Sequence, residues 1–280
     1  MSNKSKSSVA GTNYDQNRLD DEIRTASPEW ISPVDYARLV VFTHVPKTGG
    51  TTLKQILTIH YGQHFADHHP RIQNLIEEID QGEFDPAQLL ALSSHQPYGV
   101  HRKLAGLSNR RILPITVVRE PLARLISMYN FVTTFRPHRL HQATKNMDIN
   151  EFFRFAIEEG VSEIGDSQSR LVGGRRRTFS YAKEILETEY FAYTTLEGMS
   201  AMVEEVGQLL GWPVKPEEEK DRRANQSPKR QTWEDVDSDI ADKLIEMNSE
   251  DLALYEFLLN EGPVVRSEML SESGRAKPAQ

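Results

Sequence analysis

The sequence predicts an α/β fold in which helices flank a central, mostly parallel β-sheet, with a C-terminal half that is rich in helices. In the first half, short apolar runs alternate with stretches of helical spacing, and polar or Gly/Pro-containing turns follow the apolar runs. In the second half nearly every apolar pattern has helical spacing. Alternating strands and helices are typical of βαβ units, whose strands pair in parallel.

The first element is predicted to be a buried strand that leads through a loop into a helix. Residues 39–45 read LVVFTHV, which is apolar and β-branched, and Pro46 and a glycine pair follow. Thr51 and Thr52 are expected to cap a helix. Its apolar positions recur every three or four residues, at Leu53, Ile56, Leu57 and His60.

Two further apolar runs predict neighbouring strands. Residues 89–92 are followed by polar Ser93, Ser94 and His95, and residues 112–118 by Arg119 and Glu120. Pro121 then opens a helix, because proline at the first helical position loses no hydrogen bond. One face of this helix is apolar and consists of Leu122, Leu125, Ile126 and Tyr129.

The rest of the chain is divided by composition. Helices are predicted over 151–159, 181–187, 198–210 and 240–259, with a short strand over 190–194 and a charged, mobile loop over 217–230. We expect residues 1–35 to form a flexible leader, 36–261 a single domain, and 262–280 a flexible tail.

Composition excludes several classes of function. The 280 residues include 33 Lys and Arg against 41 Asp and Glu, so the chain of net charge −8 must hold any anion at a local basic site. With no cysteine, thiolate metal centres, disulfides and cysteine nucleophiles are excluded. Residues 1–17 are polar, and no apolar run is long enough for a membrane span, which predicts a cytoplasmic protein. Nucleic acid is not expected as a partner, because no aromatic residues are interleaved with the cations.

The loop after the first strand has the composition of an anion-binding cradle. Lys47, Thr48, Gly49, Gly50, Thr51 and Thr52 place one cation, three hydroxyls and flexible backbone at the start of a helix, where N–H groups and the helix dipole favour an anion. The loop differs from a Walker A motif, because Lys47 precedes both glycines. The alternative is an ordinary turn between a strand and a helix.

A second anionic group is expected at Arg119 and Ser127. In an open parallel sheet the ends of neighbouring strands face one crevice, where ligands bind. The alternative is that Arg119 pairs with Glu120 and that Ser127 bonds within its helix.

These residues carry a resemblance to a known family. HVPKTGGTTL at residues 44–53 resembles the 5′-phosphosulfate-binding loop of sulfotransferases, closest to the carbohydrate type that includes heparan sulfate 2-O- and 6-O-sulfotransferases. VVREPLARLISMYNF at 117–131 resembles their 3′-phosphate-binding motif. Weaker similarity is present in SSHQPYG at 93–99, GDSQSRLVGG at 165–174 and DLALYEFL at 251–258.

The resemblance implies a three-layer, P-loop-like fold and 3′-phosphoadenosine 5′-phosphosulfate (PAPS) as the sulfuryl donor, with PAP as the product. It assigns residues 47–52 to the 5′-phosphosulfate, and Arg119 and Ser127 to the 3′-phosphate. A late loop, residues 222–230, is expected to close over the nucleotide, with Ser227 and Lys229 in contact with it.

The expected reaction is transfer of a sulfuryl group to a hydroxyl acceptor, a carbohydrate or glycoside. Lys47 is predicted to stabilise the leaving oxygen and His95 to act as general base, since its ordinary pKa suits proton abstraction near neutral pH. His95 also resembles the base of the 2-O-sulfotransferase branch. His101 and Glu120 are reserve candidates, and a backbone hydrogen bond at a strand end is the structural alternative for His95.

Basic residues outside the loop are candidates for binding an acidic acceptor. Residues 101–124 contain six cations, Arg102 among them, against the single acid Glu120, and Arg170 belongs with Arg175, Arg176 and Arg177. The alternative is a solvated charged surface.

No metal is assigned. His60, His64, His68 and His69 lack a zinc-binding spacing such as H-E-x-x-H. Two functions compete with sulfuryl transfer: an ATP- and Mg²⁺-dependent P-loop kinase, and a non-catalytic nucleotide-binding protein of the same fold.

Overall fold

A computed structural model describes residues 31, 35–67, 72–99, 102, 110–174, 176–213 and 231–271. Strands β1 to β6, in chain order, are Arg38–Thr43, Phe65–Asp67, Ala91–Ser94, Arg111–Val118, Ala192–Thr195 and Val264–Val265. Helices α1 to α10 of the described residues are Gly50–Tyr61, Ile72–Asp80, Pro121–Thr134, His141–Thr144, Ile149–Glu158, Ser167–Val172, Phe179–Glu189, Met199–Leu210, Ser238–Met247 and Ser249–Glu261.

The strands form one sheet in the order β2-β3-β1-β4-β5-β6. The pairings among β1 to β5 are parallel, and β6 is antiparallel to β5. After β1 the chain forms β2 and β3 on one side of β1 and then crosses to β4 on the other side, so the direction of strand order changes beside β1. This position is the topological switch point at which open α/β sheets bind ligands.

Both faces of the sheet are covered, which makes three layers. Val40 and Phe42 of β1 pack in a core with residues of α1 and α8. Leu39 and Val41, which point to the opposite face because side chains alternate along a strand, pack with Leu75 of α2. The predicted α/β fold with a mostly parallel central sheet is confirmed.

A separate core joins the helices that flank the sheet in the second half of the chain. Buried Leu125, Tyr129 and Val132 of α3 pack against Phe152 and Phe153 of α5, and α9 completes this core. Helix α3 begins at Pro121, as the sequence predicts.

Several elements differ from the sequence prediction, among them the helices α2, α4 and α6, which it does not include. The helix expected over 240–259 is two helices, because the side chain of buried Asn248 donates to the carbonyls of Ile164 and Leu244 at the junction. The short strands β2 and β6 are not predicted by hydropathy; β6 pairs with β5 through a register that matches Tyr193 with Val264. The loop expected over 217–230 lies outside the described residues.

Candidate active site

The ends of three adjacent strands carry the candidate functional residues. Thr43 of β1 pairs with Ser94 of β3 on one side and with Thr116 of β4 on the other. The loop after β1 therefore lies between His95, which follows β3, and Arg119, which follows β4.

The loop after β1 is shaped by its backbone and by one buried hydroxyl. Lys47 and Gly49 have φ angles of 73° and 85°, in the left-handed region. Between them, the fully buried hydroxyl of Thr48 donates to the Val45 carbonyl at 2.9 Å. The Thr48 side chain thus closes the turn, and the residue is available to a ligand only through its backbone.

Gly50 is required by a close approach. A Cβ atom at this position would lie 1.7 Å from Nε2 of His44, well inside any tolerated contact. The glycine lets the start of α1 pack directly against the His44 ring.

Helix α1 begins one residue before the predicted threonine caps. Gly49 is its N-cap, so Thr51 and Thr52 lie in the first turn and the prediction that they cap the helix is wrong. The Gly49 carbonyl accepts the first helical hydrogen bonds, from the N–H groups of Thr52 and Leu53. The first turn contains no acidic residue. Its positive end is thus suited to an anion.

Arg119 is held at both its backbone and its side chain. Its guanidinium donates from Nη1 to the Lys47 carbonyl at 3.2 Å. Its backbone N–H donates to the side-chain oxygen of Gln168, and its carbonyl accepts from the Gln168 amide. The next residue, Glu120, caps α3 by accepting the N–H groups of Leu122 and Ala123. Glu120 is therefore used structurally, which disfavours it as the general base.

A cleft of about 890 Å³ opens over the loop and the exposed side of α3. It unites Lys47, Thr51, Arg119 and Ser127 with aromatic residues. The Ser127 side chain forms no hydrogen bond to another described residue and remains available to a ligand. The other lining residues are Glu120, Leu122, Ala123, Ile126, Asn130, Phe131, Thr134, Phe135, Gln231, Thr232 and Trp233.

The ammonium of Lys47 lies 4.1 Å from the centre of the Phe131 ring. Burial, and then the positive charge of Arg119, lower the pKa of Lys47 below its ordinary value. The loss of hydration and the neighbouring cation both favour the neutral amine, so this lysine gives up a proton more readily than an exposed one.

His95 lies on the other side of the loop, against a second histidine. The ring centroids of His44 and His95 are 4.2 Å apart, and Phe42 stacks on His44 at 5.0 Å. His95 is half-buried and is not among the residues that line the cleft. The order β3-β1-β4 thus places His95 and Arg119 on opposite sides of Lys47.

This arrangement agrees with a comparison against protein families. A sequence model of the sulfotransferase family matches residues 34–258. The chain belongs to the sulfotransferase family. The family is one of transferases that move sulfuryl groups, and its membership implies a small-molecule or glycan acceptor. A search of curated proteins finds no match.

The sulfotransferase cleft brings together four of the residues expected from the sequence. Lys47, Thr51, Arg119 and Ser127 line it, whereas Thr48, Gly49, Gly50 and Thr52 of the same loop do not. Ser227 and Lys229 lie outside the described residues. The described chain resumes just after them, and Gln231, Thr232 and Trp233 lie at the cleft.

The two arginines expected to bind the acceptor, Arg102 and Arg170, each interact with other side chains of the protein. Arg102 is exposed, lies 3.5 Å from the Glu189 carboxylate and packs over the Tyr98 ring. Arg170 of α6 is half-buried, and burial followed by the charge of Arg177 lowers its pKa.

The basic stretch over 101–124 does not form one patch in the sulfotransferase. Arg110 and Arg111 lie at the start of β4, where they donate to the carbonyls of Pro86 and Met269. Arg119 follows the opposite end of β4, and Arg124 is buried within α3. A strand of this length separates the two groups by roughly 25 Å, so they cannot guide one ligand together.

The histidine cluster does not have the appearance of a metal site. His60 stacks on Trp212, and Nδ1 of His64 lies 2.7 Å from the Gln88 carbonyl. His68 and His69 lie outside the described residues. Within the described part of the chain, no group of three potential ligands is arranged to hold a metal ion. The helices of that same part are too short or too polar to cross a membrane.

Sequence reasoning missed His44, Phe131 and the contact of Gln168 with Arg119. His44 and Phe131 belong to apolar runs, where a strand or helix pattern accounts for them. Their contacts with His95 and Lys47 join residues distant in the sequence.

Proposed function

We propose that this sulfotransferase moves a sulfuryl group from PAPS to a hydroxyl of a carbohydrate or glycoside, as in the heparan sulfate 2-O- and 6-O-sulfotransferase type that its motifs resemble. The observation that carries the proposal is the single cleft that unites Lys47, Thr51, Arg119 and Ser127 at the switch point of the sheet. Family membership favours sulfuryl transfer over the kinase alternative.

The chemistry of the cleft fits PAPS. Lys47 and the start of α1 offer a cation and backbone N–H groups for the 5′-phosphosulfate. Arg119 and Ser127 offer a guanidinium and a hydroxyl for the 3′-phosphate. The aromatic rings of Phe131, Phe135 and Trp233 supply apolar surface for a base, and the volume of about 890 Å³ is typical of a small-molecule site.

Ser227 and Lys229 remain part of the proposal as further nucleotide contacts from a loop over 222–230. Gln231, Thr232 and Trp233, which follow these residues directly in the sequence, line the cleft and support it.

PAPS, when bound, supplies a sulfuryl group joined to a good leaving group through a phosphosulfate anhydride. Lys47 would hold its ammonium at the bridging oxygen and donate a hydrogen bond as negative charge develops there. Its lowered pKa strengthens this role, since a more acidic ammonium is a better donor. We assign the backbone of Thr48, Gly49, Gly50 and Thr52 to the same cradle. The proposal requires no metal, since a sulfuryl group carries less negative charge than a phosphoryl group.

His95 would accept the proton of the acceptor hydroxyl. Its place on the side of Lys47 opposite Arg119 supports an in-line reaction, with the acceptor approaching from β3 and the nucleotide leaving toward β4. Arg102 and Arg170 are proposed to bind acidic groups of the acceptor, for which their guanidinium forks are suited.

A transfer assay with radiolabelled PAPS and a panel of glycans and glycosides tests the function. We expect label in at least one acceptor, with or without a chelator, and a loss of at least 100-fold in kcat for both Lys47→Ala and His95→Asn. Lys54→Ala is the matched control, because Lys54 lies on α1 but pairs with Asp67 at 2.7 Å. Transfer of label from γ-labelled ATP that is lost with a chelator, without transfer from PAPS, would favour the kinase alternative. Binding of PAPS with no transfer to any acceptor would favour the non-catalytic one.

A further inference from the structure

Gln168 pairs with the backbone of Arg119 just after the end of β4. Strand β4 ends at Val118, whose carbonyl accepts from the Leu196 N–H that follows β5. At the next residue, Arg119, the side-chain oxygen of Gln168 accepts from the backbone N–H at 3.0 Å and the Gln168 amide donates to the carbonyl at 2.9 Å. The Gln168 residue is fully buried, so these two bonds do not compete with water.

Asp251 fixes Gln168 in turn. The fully buried carboxylate of Asp251 accepts the backbone N–H groups of Gln168 at 3.0 Å and Ser169 at 2.7 Å. In return, the Asp166 carboxylate accepts the N–H groups of Glu250 and Asp251, both at 3.0 Å. The starts of α6 and α10 thus cap each other, and Gln168 lies in the middle of this arrangement.

The buried charge of Asp251 has a counter-charge on the helix that follows Arg119. Arg124 of α3 is 1% exposed, and its Nη2 donates to the Glu163 carbonyl at 3.0 Å. Burial lowers the pKa of Arg124, while the charge of Asp251 raises it. The Asp251 carboxylate therefore stabilises both α3, which carries Ser127, and Gln168, which holds Arg119.

We propose that Gln168 and Asp251 are positioning residues that set the selectivity of the cleft for a nucleotide bearing a 3′-phosphate. They act by fixing the backbone of Arg119, so that its guanidinium faces the cleft. This inference rests on the proposed function, in which Arg119 binds the 3′-phosphate. Without the bonds to Gln168, the guanidinium of Arg119 would sample other directions. The affinity would then fall for ligands that carry a 3′-phosphate.

The test compares the affinities of PAP and of adenosine 5′-monophosphate, which lacks the 3′-phosphate, by titration calorimetry on the full chain. Gln168→Met keeps the length of the side chain but removes both bonds to Arg119. Gln168→Glu keeps the acceptor for the Arg119 N–H and replaces the donor by an oxygen that faces the Arg119 carbonyl. Ser169→Ala is the matched control, because its hydroxyl is equally buried and without a hydrogen-bond partner among the described residues.

We expect Gln168→Met to reduce the preference for PAP over the monophosphate by about tenfold, and Gln168→Glu by several-fold. Asp251→Asn should act in the same direction, and Ser169→Ala should leave the preference unchanged. If both Gln168 variants lower the affinities of the two ligands equally, or leave them unchanged, the positioning role is refuted.

Arg119→Ala separates this inference from the function beneath it. The proposed function predicts that this variant loses most of the preference for PAP, since only Ser127 remains to bind the 3′-phosphate. A preference that is undiminished in Arg119→Ala contradicts the assignment of the 3′-phosphate to Arg119. A preference that is lost in Arg119→Ala but normal in a folded Gln168→Met contradicts only the positioning role.

Discussion

Replacing Gly50 by alanine would push the ring of His44 against that of His95 beside the loop. The added Cβ atom would lie 1.7 Å from Nε2 and 2.2 Å from Cδ2 of His44, whereas an ordinary contact needs at least about 3.4 Å. His44 cannot simply swing away, because Phe42 stacks on it and the His95 ring lies 4.2 Å from it. The ring must move by roughly 2 Å and must displace His95 with it.

We expect Gly50→Ala to destabilise the protein by about 2 kcal/mol, the usual cost of overpacking a rigid site. In a domain of this size that corresponds to a fall of about 4–8 °C in Tm. Because His95 moves with His44, kcat should also fall by about tenfold or more, if His95 is the general base.

A double-mutant cycle tests the reasoning. His44→Ala removes the ring that the new Cβ would strike, so the double variant His44→Ala with Gly50→Ala should be more stable than the sum of the single effects, by about 1–3 kcal/mol. Thermal unfolding of the four proteins gives this coupling. Additive effects, or a Gly50→Ala protein as stable as the wild type, would refute the packing argument.

Three further predictions follow from neighbouring contacts. Phe131→Leu should lower kcat/KM about fivefold, because the ring that places the Lys47 ammonium is lost, and Phe131→Tyr should restore most of it; equal kinetics of the two variants would contradict this role. Burial lowers the pKa of His60 to about 4, so this residue stabilises the fold fully above pH 6.5 and progressively less as pH falls toward 4. His60→Phe should keep the stacking on Trp212, and its free energy of unfolding should fall less between pH 7 and pH 4.5 than that of the wild type, by up to about 3 kcal/mol. Denaturant unfolding at the two pH values measures this difference, and parallel pH profiles of the two proteins would contradict the prediction. Burial raises the pKa of Asp166 to about 6, so its contribution to stability is greatest below pH 4 and is lost as pH rises through 6. Asp166→Asn should therefore flatten the dependence of the free energy of unfolding on pH between 4 and 6.

The sequence was sufficient for the elements whose signal is local. The apolar runs that became β1, β3 and β4 are short, those of β1 and β4 are β-branched, and Pro121 marks the start of α3. Since neighbouring parallel strands end at one edge, their polar followers Lys47, His95 and Arg119 could be expected at one site from order alone.

The rest depends on contacts that the sequence does not contain in any local pattern. Asn248 divides a continuous helical pattern because its side chain reaches Ile164, which lies 84 residues away. His44 meets His95 only once β1 and β3 have paired. Gln168 and Asp251 lie in motifs that sequence similarity singles out. The hydrogen bonds from Gln168 to the Arg119 backbone, and from the Gln168 N–H to Asp251, require the packed helices α6 and α10.

A crystal structure of the protein with PAP tests the central claim most directly. We predict that the 3′-phosphate lies within hydrogen-bond distance of the Arg119 guanidinium and Ser127 Oγ, with the 5′-phosphate at the loop formed by residues 47–52. PAP bound with its 3′-phosphate at that loop, or outside the cleft altogether, would contradict the account.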